Sequence, residues 1–251
     1  MKSVVSFESD ISVYADCNKL TLNSPFGWLK KGWQDFRRAP WHSLTYGAIF
    51  SAIGWLLVLF SQISESYFLL GLFISLLIIG PALAFGLYDI SQQLEQGKQP
   101  SFRHERKKAI NEMGHELMLA LMLSLVFLAM LILTSLVVNI STSSWQSGVS
   151  AAIPMSDTTF FIVALVFAGV LFCANSFALP MILDLDINAD TAMTSSLHAV
   201  WKNRSAIALW ALLVLGLSAV GFVTGLIGFV IIVPVLGYAT WHAYRETINL
   251  N

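Results

Sequence analysis

The run Ser205–Tyr244, SAIALWALLVLGLSAVGFVTGLIGFVIIVPVLGYATWHAY, holds no Asp, Glu, Lys or Arg over 40 residues. As one α-helix it would extend about 60 Å, twice the hydrocarbon thickness of a bilayer. It must turn back on itself. Gly221 and Gly225 stand near its middle, which predicts two crossings near 206–222 and 225–243 joined by a tight turn.

Working outward, residues 39–64, 66–88, 117–156 and 158–183 are also free of those four residue types. At roughly 20 residues per crossing, they predict spans near 42–62, 66–87, 117–139 and 159–182. The expected architecture is all-α and polytopic, with six transmembrane helices as three hairpins, about 42–88, 117–183 and 206–244. Residues 1–23 form a tail ahead of a membrane domain over 24–251. Composition agrees. Hydrophobic residues are 56% of the chain and charged residues 12%, about half the charge of an ordinary soluble domain. A net charge of −1 excludes the basic excess of a nucleic-acid binder. Two cysteines are too few for a disulfide scaffold or a zinc ribbon.

The basic residues set orientation. All fourteen Lys and Arg fall in the N-terminal tail, the loop after span two, the loop after span four or the C-terminal tail. With six spans these lie on one side, so both termini are expected to be cytoplasmic. The first forty residues carry acidic and basic groups and no apolar run of signal-peptide type. The first span is then expected to serve as an uncleaved signal. Cys17 in a reducing tail and Cys173 inside a span are not expected to pair.

A unit recurs three times: a charged amphipathic segment, a span, an outer loop, and a span with a proline near its inner end. The prolines are Pro81, Pro180 and Pro234. Each removes a backbone hydrogen bond and kinks its helix, which predicts a pseudo-threefold bundle. Ser24–Arg38 is the clearest amphipathic segment, with Ser24 as cap and Pro25 at the first turn. Phe26, Leu29, Trp33 and Phe36 share one face, flanked by Lys30, Lys31, Arg37 and Arg38. This predicts an interfacial helix against anionic lipid, or a plain topogenic collar. Upstream, ISVY and KLTL around Asp16, Cys17 and Asn18 suggest a small hairpin.

No charged residue or His stands near the middle of a span, where ion-coupled transporters need one. The candidate site lies at the inner face: His42, Asp89, Asp184, Asp186, His242 and Tyr244. His42 and His242 each follow a Trp and read first as interfacial anchors, with Asp184 and His42 expected to point outward. His242 with Tyr244 is the better prospect for a specific contact. Glu112 and His115 have the spacing of half a di-iron motif, with no second copy. Asn175 and Ser176 read as hydrogen bonders between helices. No catalytic constellation, metal ligand set or cofactor motif is visible.

The run Pro234-Val-Leu-Gly-Tyr-Ala-Thr-Trp-His-Ala-Tyr-Arg245 resembles the signature of an uncharacterised family of bacterial predicted integral membrane proteins. Trp28-Leu-Lys-Lys-Gly-Trp33-Gln-Asp35, Tyr46-Gly47 and Gly80-Pro81 resemble the same family, over roughly residues 24–250. Where that family often has a second His this chain has Tyr238, so a His pair on the last span is not expected. The resemblance implies an inner-membrane location and no reaction. Three functions stay open: an accessory, assembly or lipid-interacting component; a transporter for an apolar or small neutral cargo; and a membrane enzyme working at its cytoplasmic face. The expected partners are membrane lipids and a membrane protein, not nucleic acid.

Overall fold

Pro40 divides the first two helices. A proline disfavours the helical conformation of the residue before it and opens a helix well. Ala39 accordingly leaves helical geometry (φ −126°, ψ 57°), separating α1 (Ser24–Arg38) from α2 (Pro40–Ile63). The computed structural model describes residues 15–63, 80–101, 169, 172–185 and 187–249. Among them the further helices are α3 (Gly80–Glu95), α4 (Ala178–Leu185), α5 (Ala189–Lys202), α6 (Arg204–Val223) and α7 (Phe229–Thr247). Every regular element described is α-helical.

The turn expected inside the 40-residue run lies between α6 and α7. Gly225 and Leu226 both take positive φ, 62° and 69°. Gly225 N–H bonds Phe222 O at 3.0 Å and Leu226 N–H bonds Gly221 O at 3.0 Å, closing the end of α6. Leu226 bears a left-handed conformation that costs a residue with a Cβ about 1–2 kcal/mol. Ser51 of α2 donates its hydroxyl to Leu226 O at 2.9 Å and holds the turn in place.

α7 is the central helix and packs against α1, α2, α3, α4 and α6. Its neighbours approach closely where they have no side chain. A Cβ on Gly32 would lie 2.6 Å from Val235 O and 2.8 Å from Ala239 N. Gly47 backs directly onto the Val230 carbonyl. Pro234 explains that second contact: it has no N–H for Val230 O four residues before it, and its ring crowds that oxygen. The freed carbonyl turns towards α2, and only glycine leaves room. Pro180 acts differently. It sits in the first turn of α4, where a missing N–H costs little.

Trp28, Phe85, Phe177, Met181, Ile182, Trp241 and Tyr244 form the main core. Trp28 meets Trp210 edge-on, centroids 5.6 Å apart. By contrast α2 and α6 turn large apolar side chains outward, among them Trp55, Leu59 and Phe60 on α2 and Leu212, Leu215 and Val220 on α6. Among the described residues these two helices are long and apolar enough to cross a membrane. The expected span 117–139 lies outside the described residues, as do most of 66–87 and half of 159–182. The hairpin 117–183, and with it the threefold comparison, falls largely outside them too.

The ISVY half of the expected N-terminal hairpin lies outside the described residues. Residues 15–20 run against the C-terminus, with Cys17 opposite Ile248 in antiparallel sense. Asn18 N–H bonds Thr247 O at 2.8 Å and Asn249 N–H bonds Asp16 O at 2.9 Å. Side chains at the α5–α6 junction hold this segment in place. Asn203 accepts from Leu20 N–H at 2.8 Å and donates to Asn18 O at 2.9 Å, while Lys202 Nζ donates to Cys17 O at 2.6 Å.

Candidate functional site

Successive residues on a helix point about 100° apart, so the last turns of α7 reach several partners at once. His242 Nε2 lies 2.7 Å from Asp35 Oδ2 on α1. The same oxygen accepts from Ser91 Oγ of α3 at 2.5 Å. Tyr244 OH donates to Asp184 Oδ2 of α4 at 2.8 Å. Arg245 reaches that oxygen at 3.1 Å and Glu95 Oε2 of α3 at 3.2 Å. Glu246 turns back to α1, accepting from Ser24 Oγ at 2.6 Å and Trp28 Nε1 at 2.9 Å. Three helices, α1, α3 and α4, are thereby tied to the end of α7.

Asp35 is only 3% exposed. A buried carboxylate needs several donors to offset its lost hydration. Here it has the imidazole, the Ser91 hydroxyl and, more distantly, Arg38 at 4.0 Å from Oδ1. The order of groups matters. In a serine-hydrolase triad the imidazole bridges hydroxyl and carboxylate, whereas here the carboxylate bridges hydroxyl and imidazole. Ser91 is thus held as a donor to Asp35, and the arrangement clamps α1, α3 and α7.

Two expectations about single residues are corrected. Asp184 does not point out to water. It accepts from Tyr244, Arg245 and, at 2.8 Å on Oδ1, Gln92. Ser24 does not cap α1, because its hydroxyl is given to Glu246 and the helix starts after Asn23 without a side-chain cap bond. Asp89 is buried and accepts from Gln93 Nε2 at 2.7 Å. Asp186 lies outside the described residues. His42 and Asp184 line separate cavities. Asp184 borders one of about 260 Å³ with Gln92, Glu95, Gln96, Trp241 and Arg245. His42 borders one of about 620 Å³ with Arg38, Trp41, Leu94 and residues 97–100. The structure therefore brings His242 to Asp35 and Tyr244 to Asp184 without assembling all the inner-face candidates round one centre.

The amphipathic face of α1 also needs restating. The side buried in the protein is Ser24, Pro25, Trp28, Gly32 and Asp35. Phe26 and Trp33 are exposed, Leu29 and Phe36 partly so, and Lys30, Lys31, Arg37 and Arg38 are exposed around them. Trp33 and Phe36 stack at 5.3 Å. Asp35 was not among the residues singled out from sequence. Its signal was helical phase: Trp28, Gly32 and Asp35 follow at spacings of 4 and 3, opposite the visible aromatic stripe. Asn175 Oδ1 is buried with no hydrogen-bond partner, and Ser176 Oγ bonds Phe172 O at 2.6 Å. Among the described residues no group of His, Cys, Asp and Glu has the arrangement of a metal site.

Residues 68–184 match the family model described as "Predicted integral membrane protein (DUF2189)". The match bears out the resemblance to an uncharacterised family of predicted integral membrane proteins. The DUF2189 region contains α3 and most of α4, and so supplies Ser91, Gln92, Glu95 and Asp184 to the network. Asp35, His42, His242, Tyr244 and the Pro234–Arg245 run lie outside it. Comparison with curated proteins and with solved structures gives no match.

Proposed function

We propose that this integral membrane protein is a non-enzymatic, lipid-interacting component of a bacterial inner membrane, with both termini and α1 on the cytoplasmic side. The observation that carries this reading is the two-sided character of α1. One side is locked to α7 through Trp28, Gly32 and Asp35. The other presents exposed Phe26 and Trp33 beside exposed Lys30, Lys31, Arg37 and Arg38. A helix held rigidly by one side, with aromatics and cations on the other, suits the headgroup layer of an anionic membrane. The commitment of Asp35, His242 and Asp184 to ties between helices favours this over an enzyme.

The experiment is purification in mild detergent followed by quantitation of retained lipid. Replacing Lys30, Lys31 and Arg37 by Gln should reduce the anionic share of that lipid while leaving the fold intact. An unchanged lipid profile would count against the reading.

A further inference from the structure

The larger cavity lies where α1 ends, α2 begins and the chain leaves α3. Of its ten described lining residues, Arg38 and Lys98 are cationic, His42 is titratable, and none is acidic. Its walls are fixed. Ala39 N–H is bonded to Asp35 O at 3.0 Å, and Ser43 N–H to Ala39 O at 3.0 Å, so the α1–α2 corner is a continuous hydrogen-bonded path. On the far wall Gly97, with φ 70°, turns the chain so that Lys98 N–H reaches Gln93 O at 2.9 Å. Lys98 Nζ is held at 2.7 Å by Gln96 Oε1, a neutral acceptor, and pairs with no carboxylate among the described residues.

The volume of about 620 Å³ falls within the range of ligand sites. At its rim Trp41 is 78% exposed, and Leu44, one turn further along α2, is exposed on the same face. A cationic cup at the mouth of an apolar, outward-facing helix matches an amphiphile with a phosphate at one end and acyl chains at the other. We infer that this cavity is a specific site for the phosphate headgroup of an anionic phospholipid, with Arg38 and Lys98 contacting the phosphate, Trp41 packing at the glycerol level and the acyl chains lying along Leu44 and the outer face of α2. The inference rests on the lipid-interacting reading above but concerns one bound molecule, where α1 concerns the surrounding layer.

The test is native mass spectrometry of the full chain in detergent, titrated with dioleoylphosphatidylglycerol, dioleoylphosphatidylcholine or inorganic phosphate. One phosphatidylglycerol should bind ahead of phosphatidylcholine. The variant Arg38→Gln with Lys98→Gln should weaken that binding about tenfold or more, the effect of losing roughly one charge-assisted contact. Because Arg38 also stands near Asp35, Gln99→Glu on the opposite wall is the second variant. It puts a negative charge at the rim and should weaken phosphatidylglycerol binding without touching the α1–α7 clamp. Unchanged binding in the folded Gln99→Glu and double variants would overturn the site. Binding of inorganic phosphate as tight as that of phosphatidylglycerol would overturn its assignment to a lipid. Replacing Lys30, Lys31 and Arg37 should leave this single-lipid binding in place, so failure of the α1 reading and failure of the cavity are separable.

Discussion

His242 Nε2 and Asp35 Oδ2 lie 2.7 Å apart although 207 residues separate them in sequence. Asp35 is 3% and His242 9% exposed, so the contact joins α1 to α7 away from bulk water. It also fixes how α1 presents its opposite, exposed face. The geometry of that exposed face thus depends on a polar bond in the protein interior.

Asp35→Ala should therefore destabilise the fold by about 2–4 kcal/mol, because it leaves both the imidazole and the Ser91 hydroxyl buried without their acceptor. His242→Ala alone should cost less, since Asp35 keeps Ser91. Thermal unfolding in detergent of the two single variants and the double variant gives the coupling, expected at about 1–3 kcal/mol. Additive losses would mean that the two side chains do not depend on each other.

Gly47→Ala should cost about 1–3 kcal/mol by overpacking against the Val230 carbonyl that Pro234 releases. Gly216→Ala on α6 is the control. Nothing lies within 4 Å of a Cβ there, and a helix gains from alanine, so it should be neutral or stabilising by up to about 1 kcal/mol. Melting temperatures of the two variants should move in opposite directions, or only the first should move.

Tyr244→Phe should be mild, at about 1 kcal/mol, because Asp184 retains Arg245 and Gln92. Asp184→Ala should be worse, since Tyr244 and Gln92 both lose this contact and Arg245 keeps only Glu95. Denaturant midpoints for the two variants would rank them, and the reverse ranking would contradict the network.

Cys17 is 4% exposed and lies opposite Ile248. Burial pushes its thiol above the ordinary value, with Lys202 opposing in part. Maleimide should therefore label Cys17 slowly in the folded protein, with a rate that keeps rising at pH values beyond those of an exposed thiol. Ending the chain at Glu246 removes the residues opposite Cys17 and should speed labelling at least several-fold. Equal rates before and after truncation would mean that the C-terminus does not cover the thiol.

Topology is checked by introducing cysteines at Ser64, Ser147 and Gln99 in a background lacking Cys17 and Cys173. An impermeant maleimide should reach the first two from outside intact cells and the third only after permeabilisation. Outside labelling of Gln99 would remove both the cytoplasmic placement of α1 and the location proposed for the phosphate cavity.

The membrane class and the hairpin at residues 206–243 were legible because both follow from one-dimensional properties. Forty uncharged residues exceed one bilayer crossing, and Gly225 supplies the positive φ that the turn between them uses. The separation of α1 from α2 at Pro40 is equally local. The partners of charged groups at helix ends were not legible in the same way. Asp184 looks like a solvated helix end until α7 brings Tyr244 and Arg245 beside it. Asp35 looks like one more charge on a basic amphipathic segment until Trp28 and Gly32 prove to be the side that packs.

Hydrophobic length, charge placement and backbone-restricting residues determined by themselves that the chain is helical and membrane-embedded, and where several of its helices begin and end. Only the tertiary structure decided which face of α1 is inside, why Gly47 stands opposite Pro234's released carbonyl, and which carboxylate meets which donor. The reason is physical. Burial of apolar length is nearly additive along the chain, whereas a buried polar contact exists only when residues as distant as Asp35 and His242 are brought within about 3 Å by the packing of everything between them.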